Sequence, residues 1–356
     1  MFLRNCWYVA GWCSEITTKP IERTFLGESV ALFRTESGKV SALENRCPHR
    51  GMPLSAGAVD GEKLRCMYHG LEFDKDGACL RVPGQDRIPK TCAVKSYPLK
   101  EQDSLLWIWM GEPSIANPDD VGRYPWHSDP GWRWKGATYT VDCNYELLHD
   151  NLLDLSHLGF VHLGTIGGDP ESHSNAQMDT VRKGDRVEVV RWMKNVVPPP
   201  TFSKGAGLTG RIDRWQEIEF RPGFINIWAG GLPVESDAQN KPRVGGYQSR
   251  IFDGITPETE TTSHYFWSAA HSYRIDEPGI TELHFEHIAT AFEEDRIVLS
   301  LTQRRLDAAP SKVNVDIKSD VAGLHARRIM QELIAKEQAA SPVNANRTPI
   351  AAVSLS

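Results

Sequence analysis

The sequence predicts an α+β protein in two parts, an all-β N-terminal domain and a C-terminal domain of antiparallel sheet and helices. Before residue 112 the chain contains short β-type segments separated by turns. After residue 131, longer β-type segments and helical stretches follow. The length of 356 residues suits about two domains, and a hydrophobic content of 40% is enough for a core in each.

The first domain is predicted to span residues 1–112. Apolar, β-branched and aromatic residues are concentrated there between turn-forming residues, which is typical of short strands. The clearest of these segments are 29–34, 39–43 and 105–109. Four prolines and several polar residues follow, so residues 113–130 are predicted to be a linker.

The second domain is predicted to span residues 131–340. Its helical stretches cover about 142–162, 280–307 and 319–338. Its β-type segments are 186–193, 215–228, 246–252 and 262–271. Residues 341–356 are rich in Ala, Ser, Pro and Asn and are predicted to be a flexible C-terminal tail.

Composition and charge narrow the classes of function. The formal net charge is −6 and no basic tract occurs, so we expect no nucleic-acid partner. The first residues lack a charged segment followed by an apolar one, and no run approaches the roughly 18 apolar residues of a membrane span. The seven cysteines are scattered and are expected to be reduced thiols. Together these features predict a cytoplasmic protein that does not bind a membrane.

Two motifs that mix Cys and His are the most specific feature of the N-terminal domain. Cys47-Pro-His49 and Cys66-Met-Tyr-His69 are separated by 16 residues. In a Rieske [2Fe–2S] cluster two thiolates bind one iron and two imidazoles bind the other, so each loop must supply one Cys and one His. A structural zinc site is the alternative, but zinc fingers usually pair Cys with Cys and His with His. The motifs therefore predict a Rieske cluster bound by these four residues.

The helical stretch at 142–162 has a polar stripe beside a Leu-rich one. The stripe consists of Glu146, Asp150, Asp154 and His157. Taken alone, it is typical of a helix with a solvated face. His162 follows His157 by five residues, so both imidazoles would reach one metal ion only if Gly159 loosens the last turn.

The helical stretch at 280–307 places a carboxylate on an apolar face. That face consists of Ile288, Ala291, Phe292, Val298 and Leu299. Asp295 lies in its middle, and the neighbouring Glu293, Glu294 and Arg296 are expected to point elsewhere. Burying a lone carboxylate costs several kcal/mol, which a divalent metal bound by two histidines would offset.

His157, His162 and Asp295 would then form the 2-His-1-carboxylate triad of non-haem Fe(II) oxygenases, which leaves positions open for O₂ and substrate. The alternative for Asp295 is a salt bridge to a buried Arg.

Residues 205–210 spell the G-x-G-x-x-G pattern of dinucleotide-binding turns. The pattern follows three prolines rather than a buried strand, and no apolar helix with an acidic residue about 20 positions later comes after it. We therefore interpret the segment as a flexible loop. The chain is expected to receive its electrons from a separate NAD(P)H-dependent reductase.

Nearly the whole chain resembles the oxygenase component of Rieske non-haem iron aromatic oxygenases. Within that family it is similar to the branch of vanillate O-demethylase, dicamba O-demethylase and toluenesulfonate methyl-monooxygenase. The matching segments are 4–10 (RNCWYVA), 68–73 (YHGLEF), 151–162, and 256–260 before 265–267.

The resemblance implies a fold, cofactors and residue roles. It implies a helix-grip catalytic domain behind the Rieske domain. It implies that Cys47, His49, Cys66 and His69 bind the cluster and that His157, His162 and Asp295 bind mononuclear Fe(II). It also implies that Asp154 is the aspartate that bridges the two metal centres and that Asn151 supports the iron site. A homotrimer, in which the cluster of one subunit reduces the iron of the next, completes the implied assembly.

The resemblance further implies oxidation of an aromatic acid by O₂. The predicted reaction is O-demethylation of a vanillate-like methoxy aromatic acid with release of formaldehyde. The alternatives are hydroxylation of an aryl methyl group on an acid or sulfonate, ring dihydroxylation, and, in another class, a non-catalytic Rieske electron carrier. Arg214 and Arg250 are the candidates for binding the acid, because a buried anion favours a guanidinium.

Overall fold

A computed structural model describes residues 1–340 of the chain, and the predicted tail at 341–356 lies outside these described residues. The predicted fold class is confirmed. Small antiparallel sheets form the N-terminal part, and a seven-stranded antiparallel sheet with helices on one side forms the C-terminal part of the described chain.

Three small sheets build the N-terminal part, with strand orders β1-β10-β9, β2-β3-β4 and β5-β6-β7-β8. The predicted segments 29–34, 39–43 and 105–109 are β3, β4 and β10. The strands are β1 (Trp7–Trp12), β2 (Ile21–Phe25), β3 (Glu28–Arg34), β4 (Val40–Glu44), β5 (Ala58–Asp60), β6 (Lys63–Arg65), β7 (Glu72–Phe73), β8 (Cys79–Arg81), β9 (Leu99–Gln102) and β10 (Leu105–Trp109).

The connection to the second part contains three single turns of 3₁₀-helix, each beginning at a proline. Within it, Tyr124 is 1% exposed, and its hydroxyl donates a hydrogen bond to the carbonyl of Arg250. The predicted linker is thus packed against the C-terminal sheet.

The large sheet has the order β11-β17-β16-β15-β14-β13-β12. Its strands are β11 (Arg133–Val141), β12 (Gln177–Lys183), β13 (Arg186–Val196), β14 (Ile212–Arg221), β15 (Phe224–Pro233), β16 (Tyr247–Pro257) and β17 (Ser263–His271). The single β-type segment predicted at 215–228 is in fact parts of two strands. They are joined by a turn in which Gly223 has φ +90°, and a Cβ there would lie 2.5 Å from the carbonyl oxygen of Trp7.

The helices are α1 (Tyr145–Leu153), α2 (Leu158–Val161), α3 (Pro170–Ser174), α4 (Pro200–Ala206), α5 (Ile280–Ala308) and α6 (Val321–Ala340). Helices α5 and α6 match the predicted stretches at 280–307 and 319–338. No helix within residues 1–340 is long and apolar enough to cross a membrane.

The prediction of one continuous helix over 142–162 is wrong. Helix α1 ends at Leu153, because Asp154 leaves the helical conformation with φ −115° and ψ 91°. The Asp154 side chain accepts a hydrogen bond from the Ser156 amide and begins a 3₁₀ turn over Leu155–His157. Asp154 and His157 therefore do not continue the helix face on which Glu146 lies.

The flexible loop predicted at 205–210 is also partly wrong. Helix α4 covers its beginning and ends at Ala206, and the following residue, Gly207, has φ +72°. Glycine is favoured in this left-handed conformation because it has no Cβ.

The two parts of the chain share hydrophobic cores. One buried cluster joins Trp7, Trp107 and Trp109 of the first part to Phe224 and Phe252 of the large sheet. The Thr256 hydroxyl also donates a 2.7 Å hydrogen bond to the carbonyl of Val9. This packing fixes the large sheet against the N-terminal strands.

Candidate metal centres and adjoining cavity

The two Cys and His loops of the N-terminal part have the same backbone design. The Gly51 amide donates a 2.9 Å hydrogen bond to the Cys47 carbonyl, and the Gly70 amide donates a 3.0 Å bond to the Cys66 carbonyl. Both glycines are left-handed, with φ +73° and +72°. Each loop therefore turns back directly after its cysteine, which places one Cys and one His of each loop side by side.

The four predicted ligands differ in exposure. Cys47 and Cys66 are 1% and 2% exposed, whereas His49 and His69 lie at the surface. The two imidazole rings are 4.4 Å apart between centroids. Burial, together with the neighbouring Cys66 thiol, raises the pKa of Cys47. The thiol pair lies inside and the imidazole pair outside, which suits a cluster whose histidine-bound iron faces the surface.

The structure brings His157, His162 and Asp295 together at a second centre. One ligand atom from each lies within 4.8 Å of the others. Asp295 Oδ1 is 3.4 Å from His157 Nε2, and Asp295 Oδ2 is 3.2 Å from His162 Nε2. His157 ends the 3₁₀ turn before the one-turn helix α2, and His162 leaves the helical conformation after it with φ −110° and ψ 36°. The two ends of α2, rather than a loosened turn at Gly159, therefore give their geometry.

Hydrogen bonds to the outer nitrogens orient both imidazoles. His157 Nδ1 lies 2.7 Å from the Asp154 carbonyl oxygen, and His162 Nδ1 lies 2.7 Å from Glu294 Oε2. If each Nδ1 donates its proton outward, each Nε2 presents a lone pair to the space between the three side chains. His162 Nε2 is buried and has no well-aligned hydrogen-bond partner there. These donors fit a divalent metal ion.

A hydrogen bond also orients the carboxylate of the triad. Asp295 is 5% exposed, and the Asn151 amide donates a 3.0 Å hydrogen bond to its Oδ1. Burial acts to raise the pKa of Asp295, but the adjacent His157 and His162 side chains outweigh it and hold that pKa below its usual range. Asp295 is therefore ionised, as a metal ligand must be.

An apolar cavity adjoins the triad. Most of its wall is aliphatic or aromatic, with Leu155, Ile227, Ile251 and Phe292 among the lining residues. An aromatic ring would thus lie against apolar surface beside the metal-binding side chains.

The two predicted anion-binding arginines lie in different places. Arg214 is 3% exposed and lines the cavity that the triad borders. Arg250 lies over Trp228 at 3.9 Å and over Trp126 at 4.7 Å, and it lines a separate groove. Only Arg214 is therefore brought together with the triad.

Two residues of this centre were missed by the sequence interpretation. Glu294 was expected to point away from the buried face of α5, yet its carboxylate contacts the imidazole of His162. Gln216 lies on β14 and lines the cavity. Because alternate residues of a strand face the same side, its position two residues after Arg214 could have predicted this.

A Rieske-type loop pair joined to a buried 2-His-1-carboxylate site defines the Rieske non-haem iron oxygenases. Residues 6–98 match the Rieske [2Fe-2S] domain, and residues 141–336 match the vanillate O-demethylase oxygenase C-terminal domain. The chain belongs to the vanillate O-demethylase oxygenase family. Its cofactors are accordingly a [2Fe–2S] cluster and mononuclear iron, and its electrons come from a separate reductase.

Named relatives support this family. The chain is 40% identical to the iron-sulfur subunit TsaM1 of the toluene-4-sulfonate monooxygenase system from Comamonas testosteroni, over 95% of this chain and 98% of that protein. It is 35% identical to a vanillate O-demethylase oxygenase subunit from a Pseudomonas species, over 96% and 97%. The crystal structure of dicamba monooxygenase bound to 3,6-dichlorosalicylic acid matches with a TM-score of 0.88 and 31% identity, over 97% and 99%. Because the match covers both domains, the alternative of a non-catalytic electron carrier is not supported.

Proposed function

We propose that this oxygenase O-demethylates a methoxy aromatic acid and releases formaldehyde. One observation carries the proposal. The same apolar cavity is lined by the three residues His157, His162 and Asp295 and by the buried Arg214. The overall reaction takes one methoxyarene, O₂, two electrons and two protons. It yields a phenol, formaldehyde and water.

His157, His162 and Asp295 would hold the iron, and Cys47, His49, Cys66 and His69 would hold the cluster. The iron supplies O₂ activation and C–H hydroxylation when it is bound by such a triad. The hydroxylated methoxy carbon is a hemiacetal, which collapses to the phenol and formaldehyde. No separate hydrolytic residue is needed for that collapse.

The side chains around the iron position the reacting groups. Glu294 and the Asp154 carbonyl each take the outer N–H of one imidazole, which keeps the ring orientation fixed. Asn151 donates to Asp295 and holds one carboxylate oxygen in place. Apolar residues such as Leu158 and Phe292 restrict water and would press the flat ring against the triad.

The proposed assembly is a homotrimer with electron transfer between subunits. The exposure of His49 and His69 supports it, because that edge of the cluster is open to another chain. Asp154 supports it too: its side chain is half-buried, and within residues 1–340 its carboxylate accepts hydrogen bonds only from Ser156. Sedimentation of the purified chain tests the trimer directly. The proposed domain division remains 1–112, 113–130 and 131–340.

Hydroxylation of an aryl methyl group is the second candidate function. It is favoured by the 40% identity to a subunit of a toluene-4-sulfonate monooxygenase system. The same cavity and triad would serve both reactions, since each begins with oxidation of a methyl C–H bond.

The test is an assay of the purified chain with a compatible reductase and NADH. Methoxy- and methyl-substituted benzoates and benzenesulfonates are supplied, and formaldehyde is measured beside the aromatic product. We expect formaldehyde and a phenol in equal amounts. A hydroxymethyl product without formaldehyde would assign methyl hydroxylation, and a ring diol would contradict both candidates.

A further inference from the structure

The cavity beside the triad contains a buried positive charge. Arg214 is 3% exposed, and no acidic residue within 1–340 pairs with it. Its Nη1 donates to the Gly167 carbonyl at 2.6 Å and its Nη2 to the Ile166 carbonyl at 2.7 Å, while Nε has no partner. Burial lowers the pKa of Arg214 to about 9, so the guanidinium remains protonated at neutral pH. A buried cation without an anion is costly unless a ligand supplies one.

A second donor lies on the same strand two residues later. Gln216 is 1% exposed and lines the cavity. Arg191 Nη1 lies 2.7 Å from its amide oxygen, Oε1. Arginine can only donate hydrogen bonds, so the amide atom that faces Arg191 must be the oxygen. The Nε2 group is thereby directed away from Arg191, and no described residue accepts a hydrogen bond from it.

Arg191 is itself buried and fixed. It is 2% exposed, and its Nη2 donates a 2.8 Å hydrogen bond to the His173 carbonyl. It does not line the cavity. Its effect on a ligand would therefore be indirect: it holds the Gln216 amide in one orientation and adds positive charge behind it.

We propose that Arg214 and Gln216 form an oxyanion subsite, oriented by Arg191, that selects arenes bearing a carboxylate or sulfonate group. The proposal rests on the proposed function, which places the aromatic substrate in this cavity. The anion would balance the charge of the guanidinium, which has no acidic partner within residues 1–340, and accept from the Gln216 amide, and the apolar wall would cover the ring. A neutral arene of the same shape would leave the guanidinium charge without an anion, and the discrimination follows from that difference.

Arg214 has a second contact that the experiment must separate from ligand binding. Its bonds to the carbonyls of Ile166 and Gly167 hold the segment that follows His162. The Gly167 amide in turn donates to the His162 carbonyl at 2.9 Å. Replacing Arg214 could therefore disturb the metal site, whereas Gln216 makes no such contact. Gln216 is the residue on which the test is centred.

The first measurement is calorimetric binding to the purified chain of 4-methoxybenzoate, 4-methoxybenzenesulfonate and the neutral 4-methoxybenzamide. At least one anion is expected to bind about 10- to 100-fold tighter than the amide. The preferred anion identifies the natural oxyanion, and a preference for either supports the subsite. Equal binding of all three ligands would overturn it.

The second measurement uses Gln216→Leu, with Gln248→Leu as the matched control. Gln248 is also buried in the sheet, but its amide oxygen accepts a hydrogen bond from Trp228 and it does not line the cavity. We expect Gln216→Leu to lose about 10-fold in anion affinity while the affinity for the amide changes little. Cobalt(II) titration of the triad checks that the metal site is intact. Loss of anion and amide affinity together would overturn the role of Gln216.

Arg191 is tested as a positioning residue. Arg191→Met is expected to reduce the preference for anion over amide with unchanged cobalt affinity, and Arg191→Lys to restore part of it. Loss of cobalt affinity in Arg191→Met without loss of the preference would assign Arg191 to folding alone.

Product analysis separates this proposal from the proposed function. Equal turnover of neutral and anionic methoxyarenes, with formaldehyde from both, would overturn the subsite and leave O-demethylation standing. Selective anion binding without oxidation of any methoxyarene would do the reverse.

Discussion

The two metal centres of this chain are built in opposite ways. The cluster loops come from residues 47 to 69, and their histidines are exposed. The triad joins segments that are more than 100 residues apart, since His162 and Asp295 are separated by 133 positions, and it borders an apolar cavity. The difference follows from their tasks. A centre that exchanges electrons with other chains needs an exposed edge, whereas oxidation of a C–H bond requires a site that limits water.

The comparison predicts that the two centres can be lost separately. We expect His157→Ala to abolish substrate oxidation, because two ligands cannot hold the iron in the facial arrangement. Within residues 1–340 no hydrogen bond or ion pair joins the cluster loops to His157, so the visible absorption and the EPR signal of the reduced cluster should be unchanged. Iron content, cluster spectrum and formaldehyde formation are measured on the same preparation.

The reciprocal variant is Cys66→Ser. It should remove the cluster spectrum and all reductase-driven turnover while cobalt(II) still binds the triad. A variant in which the loss of one centre also removes the other would contradict the independence of the two.

The two triad imidazoles are oriented by different hydrogen-bond acceptors. His162 donates to the carboxylate of Glu294, whereas His157 donates to a backbone carbonyl. We expect Glu294→Gln to weaken metal binding by about 10- to 100-fold, as is typical when such a partner is changed. Titration with cobalt(II) measures the affinity, and the nitrosyl EPR signal of the iron form reports the ligand geometry.

The matched control for that variant is Glu293→Gln. Glu293 is the preceding residue of α5 and forms a surface ion pair with Arg296. Its replacement should leave the metal affinity unchanged, since exposed ion pairs contribute little. Equal losses in both variants would mean that the effect comes from the helix and not from the bond to His162.

Sequence patterns identified the cluster more completely than the triad, and the reason is physical. The Cys and His residues of the cluster loops are close together in the sequence, so their spacing can be recognised without knowledge of the fold. For Asp295, the helical period of α5 correctly indicated burial, because a carboxylate on an apolar stripe is unusual. The contact between Glu294 and His162 depends on how distant segments pack, and no local pattern contains that information.

The region around the histidines shows where periodicity misleads. Residues 142–162 have a helical pattern throughout. Asp154 interrupts the helix because its side chain accepts a hydrogen bond from the backbone amide of Ser156. Asp competes with the helical backbone in this way, so it is common at helix starts. The break then sets His157 and His162 at the two ends of α2. Periodicity alone cannot choose between Asp154 as a helix residue and Asp154 as a cap.

Two buried carboxylates, one in each part of the chain, have opposite surroundings. Glu72 of β7 pairs with Lys63 at 2.8 Å and with Arg81 at 3.3 Å, and the bond from Lys63 lowers its pKa. Asp253 of β16 accepts a 2.6 Å hydrogen bond from Tyr265, and its Oδ2 has no partner. Burial, aided by the charge of Asp295, raises the pKa of Asp253 to about 7.

The two carboxylates should therefore affect stability with opposite dependence on pH. A folded-state pKa below the unfolded value stabilises the protein at neutral pH, and this stabilisation is lost as the pH falls through the folded pKa. For Asp253 the folded pKa is higher than the unfolded one, so its stabilisation is present below about pH 4 and is lost as the pH rises toward 7. Asp253→Asn removes this penalty near neutral pH, but its amide takes the place of an oxygen without a partner, which costs part of the gain.

We expect a net gain of about 1 kcal/mol in the free energy of unfolding of the metal-free protein at pH 7.5, and a loss at pH 4.5. Glu72→Gln should instead destabilise the protein at pH 7.5 and have less effect at low pH. Chemical denaturation of both variants at the two pH values gives the four differences. The sign of the change with pH is the decisive quantity, because a packing defect would destabilise Asp253→Asn equally at both values. Such a result would mean that the pKa of Asp253 in the folded protein is not raised above its unfolded value, and it would contradict this prediction.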